Sequence, residues 1–299
     1  MGDFLCAWPA IRSIALHYAP QSIIHAGKSE HAEWLAPLGI AKPGMALADA
    51  VMRLHAGHNT LPTPTRILRF GLETPQTAMP VDHHTEFIPG IDPVGHIHVR
   101  EAYLRAIADL GIAPRHDWAE AFRELFATNE CSPAEKLHAL VFPGAGHPAK
   151  RWSLVKFFEL GKRIKHFGLE PIFVLGPAER EQGLDAAGFR SVTPSTPGEL
   201  HALMRTARVV IGNDCGPMHL AGMLGLPGVA LFGPVPRHTW APAHPVRSLA
   251  ATIPCRPCTL TTRHIPCRHE APCMQALDVE NVWREFLDVL NETPKFRTP

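Results

Sequence analysis

Tyrosine is nearly absent from this chain, with two in 299 residues, and all aromatic residues together make up 7%. No run reaches the roughly 18 apolar residues that would span a bilayer. The N-terminus also lacks the basic-then-apolar pattern of a secretion leader, so the sequence predicts a cytoplasmic protein. An excess of either charge sign is missing as well. The 29 Lys and Arg face 28 Asp and Glu, no net field recruits nucleic acid, and no nucleic-acid partner is expected. Acidic side chains are lacking altogether from Cys215 through His269, where Arg237, Arg247, Arg256, Arg263 and Arg268 fall. That stretch predicts a local basic surface suited to a diphosphate or to an acidic acceptor at a membrane; the plainer alternative is that the arginines scatter over unrelated loops.

What is present is a core-forming composition. Hydrophobic residues make up 45%, enough for one large or two medium domains. The 30 prolines are about twice the ordinary usage and follow no repeat, which implies many loops and short elements. Seven cysteines are an odd number, and four of them crowd between Cys255 and Cys273, unlike the even spread of a secreted disulfide framework.

Apolar spacing organises the chain. Ile11, Ile14, Ala15 and Tyr18 recur at helical spacing over Ala7–Ala19, short apolar runs follow at Ser22–Ala26 and Ile67–Phe70, and Val99–Leu110 predicts a helix ending at Gly111. An α/β domain ordinarily opens with a buried strand. None precedes Gly2-Asp3, so the first strand of this domain is expected to be missing. Gly57–Pro93, rich in Pro, His and Thr, predicts loop. Past Cys131-Ser132-Pro133 the pattern becomes regular. Strands are predicted at His138–Phe142, Pro171–Leu175, Arg208–Gly212 and Gly228–Phe232, with helices near Ser153–Phe167, Ala178–Ala187, Pro197–Thr206 and Gly216–Leu224 and a last one at Val279–Leu290. This alternation implies an α/β fold with a doubly wound parallel sheet, whose ligands bind at the carboxyl ends of the strands. The boundary divides the chain into domains 1–133 and 134–299.

Four constellations carry chemistry. In Gly212-Asn213-Asp214-Cys215-Gly216-Pro217-Met218-His219-Leu220 a strand turns sharply into a helix, whose free N–H groups and glycine suit a phosphate. The bland alternative is that Asp214 caps the helix and His219 packs inside it. Phe142-Pro143-Gly144-Ala145-Gly146-His147-Pro148-Ala149-Lys150-Arg151-Trp152 is a glycine-containing loop that ends in two cations and an indole. Cations at a positive helix start suggest an anionic guest, with Lys150 as a point charge, Gly144 letting backbone approach, and Trp152 anchoring the turn; alternatively the two cations are solvated. Glu179 follows the Leu175-Gly176-Pro177 turn, where it meets a ribose or merely favours a helix start. Cys255-x-x-Cys258, Cys267 and Cys273, with His264 and His269 among them, spell a structural zinc site, a disulfide pair or simply buried thiols. His83, His84 and Glu86 lie in the expected loop as acceptor ligands or exposed polar residues, Glu86 also as a second candidate base.

Gly212–Leu220, then Leu231-Phe232-Gly233-Pro234 and Trp240, with Lys150-Arg151-Trp152 upstream, resemble glycosyltransferase family nine, the ADP-heptose:lipopolysaccharide heptosyltransferases. The resemblance covers about Leu137–Leu290, and Gly2-Asp3 followed by Ala7-x-Pro9-Ala10-Ile11-Arg12 is similar to the family's first strand-to-helix turn. It implies two Rossmann-like domains facing across a cleft (GT-B), acceptor on the N-terminal side and nucleotide sugar on the C-terminal side. It further implies an inverting transfer of heptose from a donor such as ADP-heptose to a lipopolysaccharide-core-like glycolipid, with no catalytic cofactor or metal, peripheral at the cytoplasmic face of the inner membrane. Asp3 would be the catalytic base, Lys150 the phosphate lysine, and Asp214, Cys215, Gly216 and His219 the donor turn. Cys215 stands where many relatives have Ser or Thr, and Ser153 where proline is usual; a similar cysteine-rich loop belongs to related transferases. The rivals are a GT-B nucleotide-sugar epimerase, a non-catalytic nucleotide-sugar-binding protein and a zinc-dependent nucleic-acid module.

Overall fold

The structure, a computed structural model, describes residues 1–55, 58, 61, 65–72, 85–92, 95–126, 137–176, 179–180, 183–261, 265–267 and 271–292. It forms two compact units, Asp3–Trp118 and Met1–Gly2 with Ala119–Pro299. The boundary expected at Cys131–Pro133 lies outside the described residues.

Helix α1, Gly2–Tyr18, starts five residues before the predicted helix and carries Pro9 within it. Its buried face brings in Leu5, Trp8, Ala10 and Ile14, and the Trp8 indole donates to the Trp34 carbonyl at 3.0 Å. The chain continues through β1 (Ile23–Ile24), α2 (Ala32–Leu35), β2 (Ile40–Ala41), α3 (Met45–His55), β3 (Ile67–Gly71), β4 (Thr85–Pro89) and α4 (Val99–Asp109). Strands β1 and β2 pair in parallel, as do β3 and β4, from Ile67 opposite Thr85 to Gly71 opposite Pro89. The loop expected over Gly57–Pro93 therefore holds two strands. The signal for β4 is weak because Ile88 alone of its residues is fully buried, so neither alternation nor a long apolar run marks it. Helix α4 ends at the predicted place, with Gly111 in the left-handed region at φ 79°, where a residue without Cβ is favoured.

The second unit contains most of α5 (Trp118–Phe126) and then β5 (His138–Phe142), α6 (Leu154–His166), β6 (Glu170–Val174), β7 (Ser191–Val192), α7 (Pro197–Arg205), β8 (Ala207–Asn213), α8 (Gly216–Met223), β9 (Gly228–Phe232), α9 (Arg237–Trp240), β10 (Val246–Ala250), α10 (Pro272–Gln275) and α11 (Val279–Glu292). Six parallel strands run in the order β10-β9-β8-β5-β6-β7. This is the doubly wound sheet that the βαβ pattern predicts, extended by β7 and β10. Helix α6 buries Phe157, Leu160 and Ile164, and α11 buries Val282, Phe286 and Val289. Both apolar stripes recur every three to four residues, and they join Val209, Ile211, Val229 and Leu231 of the central strands in one core. The helix predicted over Ala178–Ala187 does not run that far. Gly183 at φ 72° and Ala187 at φ 47° are left-handed, a hand that right-handed helix cannot continue.

Candidate functional site

Strands β5 and β8 are neighbours, with Phe142 opposite Gly212, so the turns at their carboxyl ends lie side by side, the usual ligand position in such sheets. Cys215, not Asp214, is the N-cap of α8, and it makes no side-chain capping bond. This removes the bland reading of Asp214. Its carboxylate is turned instead to Lys150, Nζ to Oδ2 2.5 Å, and to His219, Nε2 to Oδ1 3.7 Å. All three side chains are almost fully buried. Burial opposes the charged form of Asp214, yet the Lys150 charge and the His219 contact outweigh it and hold the carboxyl below its ordinary range. The Cys215 thiol is pushed up to about 12, chiefly by burial. It stays protonated at neutral pH, and a thiol is a weak donor, so the strong donors at this turn are the backbone amides that open α8. A Cβ on Gly216 would lie 3.1 Å from the Gly2 nitrogen in the same unit, which leaves this turn little room for a larger residue.

The loop after β5 folds into a short 3-10 turn, Pro148–Lys150, capped by the His147 ring, which accepts from the Ala149 N–H at 3.1 Å. Arg151 bends back to donate to the Ala145 carbonyl at 3.1–3.2 Å, so only Lys150 of the two adjacent cations meets Asp214. Trp152 anchors the loop as expected, 2% exposed, with its indole donating to the Leu277 carbonyl at 2.8 Å. Glu179 comes to the same loop. A Cβ on Gly144 would overlap its carboxylate, and one on Gly176 would lie 2.6 Å from Oε2. Gly144→Ala is expected to push the flexible Glu179 side chain aside. The Tm should change little, but the donor KM should rise severalfold, as kinetics and thermal melts on one preparation will show; an unchanged KM would separate Glu179 from donor binding.

Asp3 is exposed in the first turn of α1. Glu86 lies on β4, and its carboxylate accepts from Arg66 Nε at 2.8 Å; the same guanidinium meets the Tyr18 hydroxyl. His83 and His84 fall outside the described residues. Of the described arginines in the acid-free stretch, Arg247 pairs with Glu285 and Glu292, whereas Arg256 donates to the Gly233 and Val235 carbonyls and Arg237 to the Ser248 carbonyl, contacts that leave their positive charge in place. Arg263 and Arg268 are not among the described residues. Cys273 is a core residue, Cys255 is exposed, Cys258 and Cys267 are half-buried, and the Cys258 thiol approaches the Cys255 carbonyl at 3.0 Å. Among the described residues no three His, Cys, Asp or Glu side chains are gathered closely enough to hold a metal ion; His264 and His269 are outside them. Sequence reasoning gave Asn213 no role of its own, although a polar residue closing the apolar run Val209–Ile211 was a signal in plain view.

These features define a two-unit α/β protein with parallel sheets and a buried lysine–carboxylate–histidine group at a strand-to-helix turn. The sequence model of glycosyltransferase family 9 (heptosyltransferase) matches residues 107–269, and the chain belongs to that family. It is 28% identical over 145 residues to lipopolysaccharide heptosyltransferase 2 of Salmonella typhimurium, a match covering 44% of this chain and 42% of that protein. The alignment thus spans less than half the relative's length. Among solved structures, E. coli ADP-heptose lipopolysaccharide heptosyltransferase II has a TM-score of 0.65 at 16% identity, covering 98% of this chain and 96% of that one. E. coli heptosyltransferase WaaC with ADP has a TM-score of 0.66 at 17% identity, covering 97% of each chain. The fold is therefore the α/β, parallel-sheet fold of the GT-B heptosyltransferases. No helix of the described residues is long and apolar enough to cross a membrane.

Proposed function

We propose that this chain is an inverting glycosyltransferase that moves heptose from ADP-heptose to a hydroxyl of a lipopolysaccharide-core-like glycolipid, without a catalytic metal, at the cytoplasmic face of the inner membrane. The observation that carries the reading is the buried Lys150–Asp214 ion pair at the start of α8. A strand-to-helix turn with open amides favours a phosphate, and an ammonium held beside it is a natural counter-charge. The donor relatives named above supply the nucleotide and the sugar, and the family resemblance supplies the base.

In this reading the acceptor belongs with residues 1–133 and the donor with residues 134–299. The acceptor O–H gives its proton to the Asp3 carboxylate while its oxygen bonds to the anomeric carbon. The carbon–oxygen bond to the diphosphate breaks, and its electron pair leaves with ADP. A single displacement of this kind inverts the anomeric centre. Charge grows on the departing diphosphate, where Lys150 and the amides of Cys215 and Gly216 stabilise it as a divalent cation otherwise would. Asp214 keeps Lys150 ordered and offers a carboxylate to sugar hydroxyls, with His219 behind it, while Glu179 meets the ribose.

The test mixes purified protein, ADP-heptose and a core glycolipid, counts ADP released, and assigns the product's anomeric configuration by NMR. Acceptor-dependent ADP release, inversion and indifference to EDTA are expected. Release that EDTA abolishes and a divalent cation restores would remove the metal-free mechanism, and binding without turnover would remove the transferase.

A further inference from the structure

We infer that Asn213 is a positioning residue for the donor diphosphate, its side-chain amide pinning both ends of the loop that carries Lys150. The inference rests on the reading of that loop as the phosphate site. Asn213 is the last residue of β8 and fully buried, so its amide must find both a donor and an acceptor inside the protein. It does: Oδ1 accepts from the Trp152 backbone N–H at 2.9 Å, and Nδ2 donates to the Pro143 carbonyl at 2.7 Å. Those partners are the first and last residues of Pro143–Trp152. One side chain on β8 thus closes the mouth of a loop that leaves β5.

The residue that follows the clamp is Asp214, and Lys150 lies two residues before the clamped Trp152. Fixing both ends of the loop to residue 213 therefore sets the register in which Lys150 Nζ reaches the Asp214 carboxylate. Within the loop, Arg151 on the Ala145 carbonyl and the His147 cap hold the intervening turn, so little freedom remains once the ends are tied. Only an amide serves here. Aspartate accepts from Trp152 but has no donor for the Pro143 carbonyl, and it adds a second carboxylate beside Asp214 that competes for Lys150.

The experiment measures ADP affinity by calorimetry, donor KM and kcat, and Tm, for wild type, Asn213→Ala, Asn213→Asp, Lys150→Ala and the Asn213→Ala/Lys150→Ala double variant. Asn213→Ala, which loses both buried hydrogen bonds, and Asn213→Asp, which loses the one to Pro143 and sets a carboxylate against its carbonyl, are each expected to weaken ADP about tenfold or more. On the Lys150→Ala background the same change is expected to cost less than about twofold, because residues acting through one another are not additive. A purely structural role would instead lower Tm and leave the ADP affinity of the folded protein intact, or give penalties that multiply independently; either result overturns the inference. Asn213→Asp, of nearly equal volume, carries the measurement if Asn213→Ala does not fold. ADP affinity lost in Lys150→Ala but untouched in Asn213→Ala overturns the inference alone. Absence of ADP binding by the wild type overturns the phosphate-site reading and takes the inference with it.

Discussion

Asp3→Ala is expected to lower kcat for heptose transfer by about 10²–10⁴-fold, the usual contribution of a positioned general base, while ADP binds as tightly as before. A base acts on the proton that leaves during the displacement, so its loss falls on the transition state and not on the donor's ground-state complex. The competing role for Asp3 is structural, since an acidic residue in the first turn of α1 complements the helix dipole. The magnitudes separate the two. A helix-start charge contributes about 0.3–1 kcal/mol to stability and would appear as a small fall in Tm with kcat largely kept. Asp3→Asn sharpens the contrast, for it keeps the shape and a hydrogen-bonding oxygen but cannot take a proton. It is expected to be as inactive as the alanine variant with a native Tm. Turnover by Asp3→Asn within about tenfold of wild type would end the base assignment.

The half of the fold that could be read from sequence is the half whose strands are buried on both faces. Leu140, Val141, Val209, Ile211, Val229 and Leu231 make continuous apolar runs that stand out against the helices between them. Strand β4 has one fully buried residue and left no such trace. In the site, Lys150 and Asp214 were legible because a lysine and a carboxylate beside glycine turns are chemically conspicuous. Their ion pair was not, since the residues are 64 positions apart and only the β5–β8 pairing brings them together. The arginine-rich stretch shows the same limit: sequence gives where charges lie along the chain but not which are already paired, and Arg247 meets its two glutamates only because α11 returns beside β10.

Lys150→Ala is expected to weaken ADP binding by about 100-fold and also to destabilise the protein by about 3–5 kcal/mol, the cost of stranding one partner of a buried ion pair. Asp214 is 3% exposed, and without the ammonium the ion-pair contact it keeps among the described residues is the longer one to His219. The pH profile should change sign. In the wild type the carboxyl is depressed in the folded state, so its contribution is present above its unfolded value near 3.9 and is lost as pH falls through the lower folded value. In Lys150→Ala burial dominates, the folded value rises above the unfolded one, and stability falls as pH climbs between them. Because both effects begin at one residue, a second variant must divide them. Lys150→Met/Asp214→Asn removes both charges at nearly constant volume, so neither partner is left as an uncompensated buried charge, the main cost of breaking such a pair. It should recover most of the lost Tm while ADP binding stays weak, since the counter-charge for the diphosphate is still gone. If the double variant regained wild-type ADP affinity together with its stability, Lys150 would be a fold element only, and the diphosphate would have to be held elsewhere.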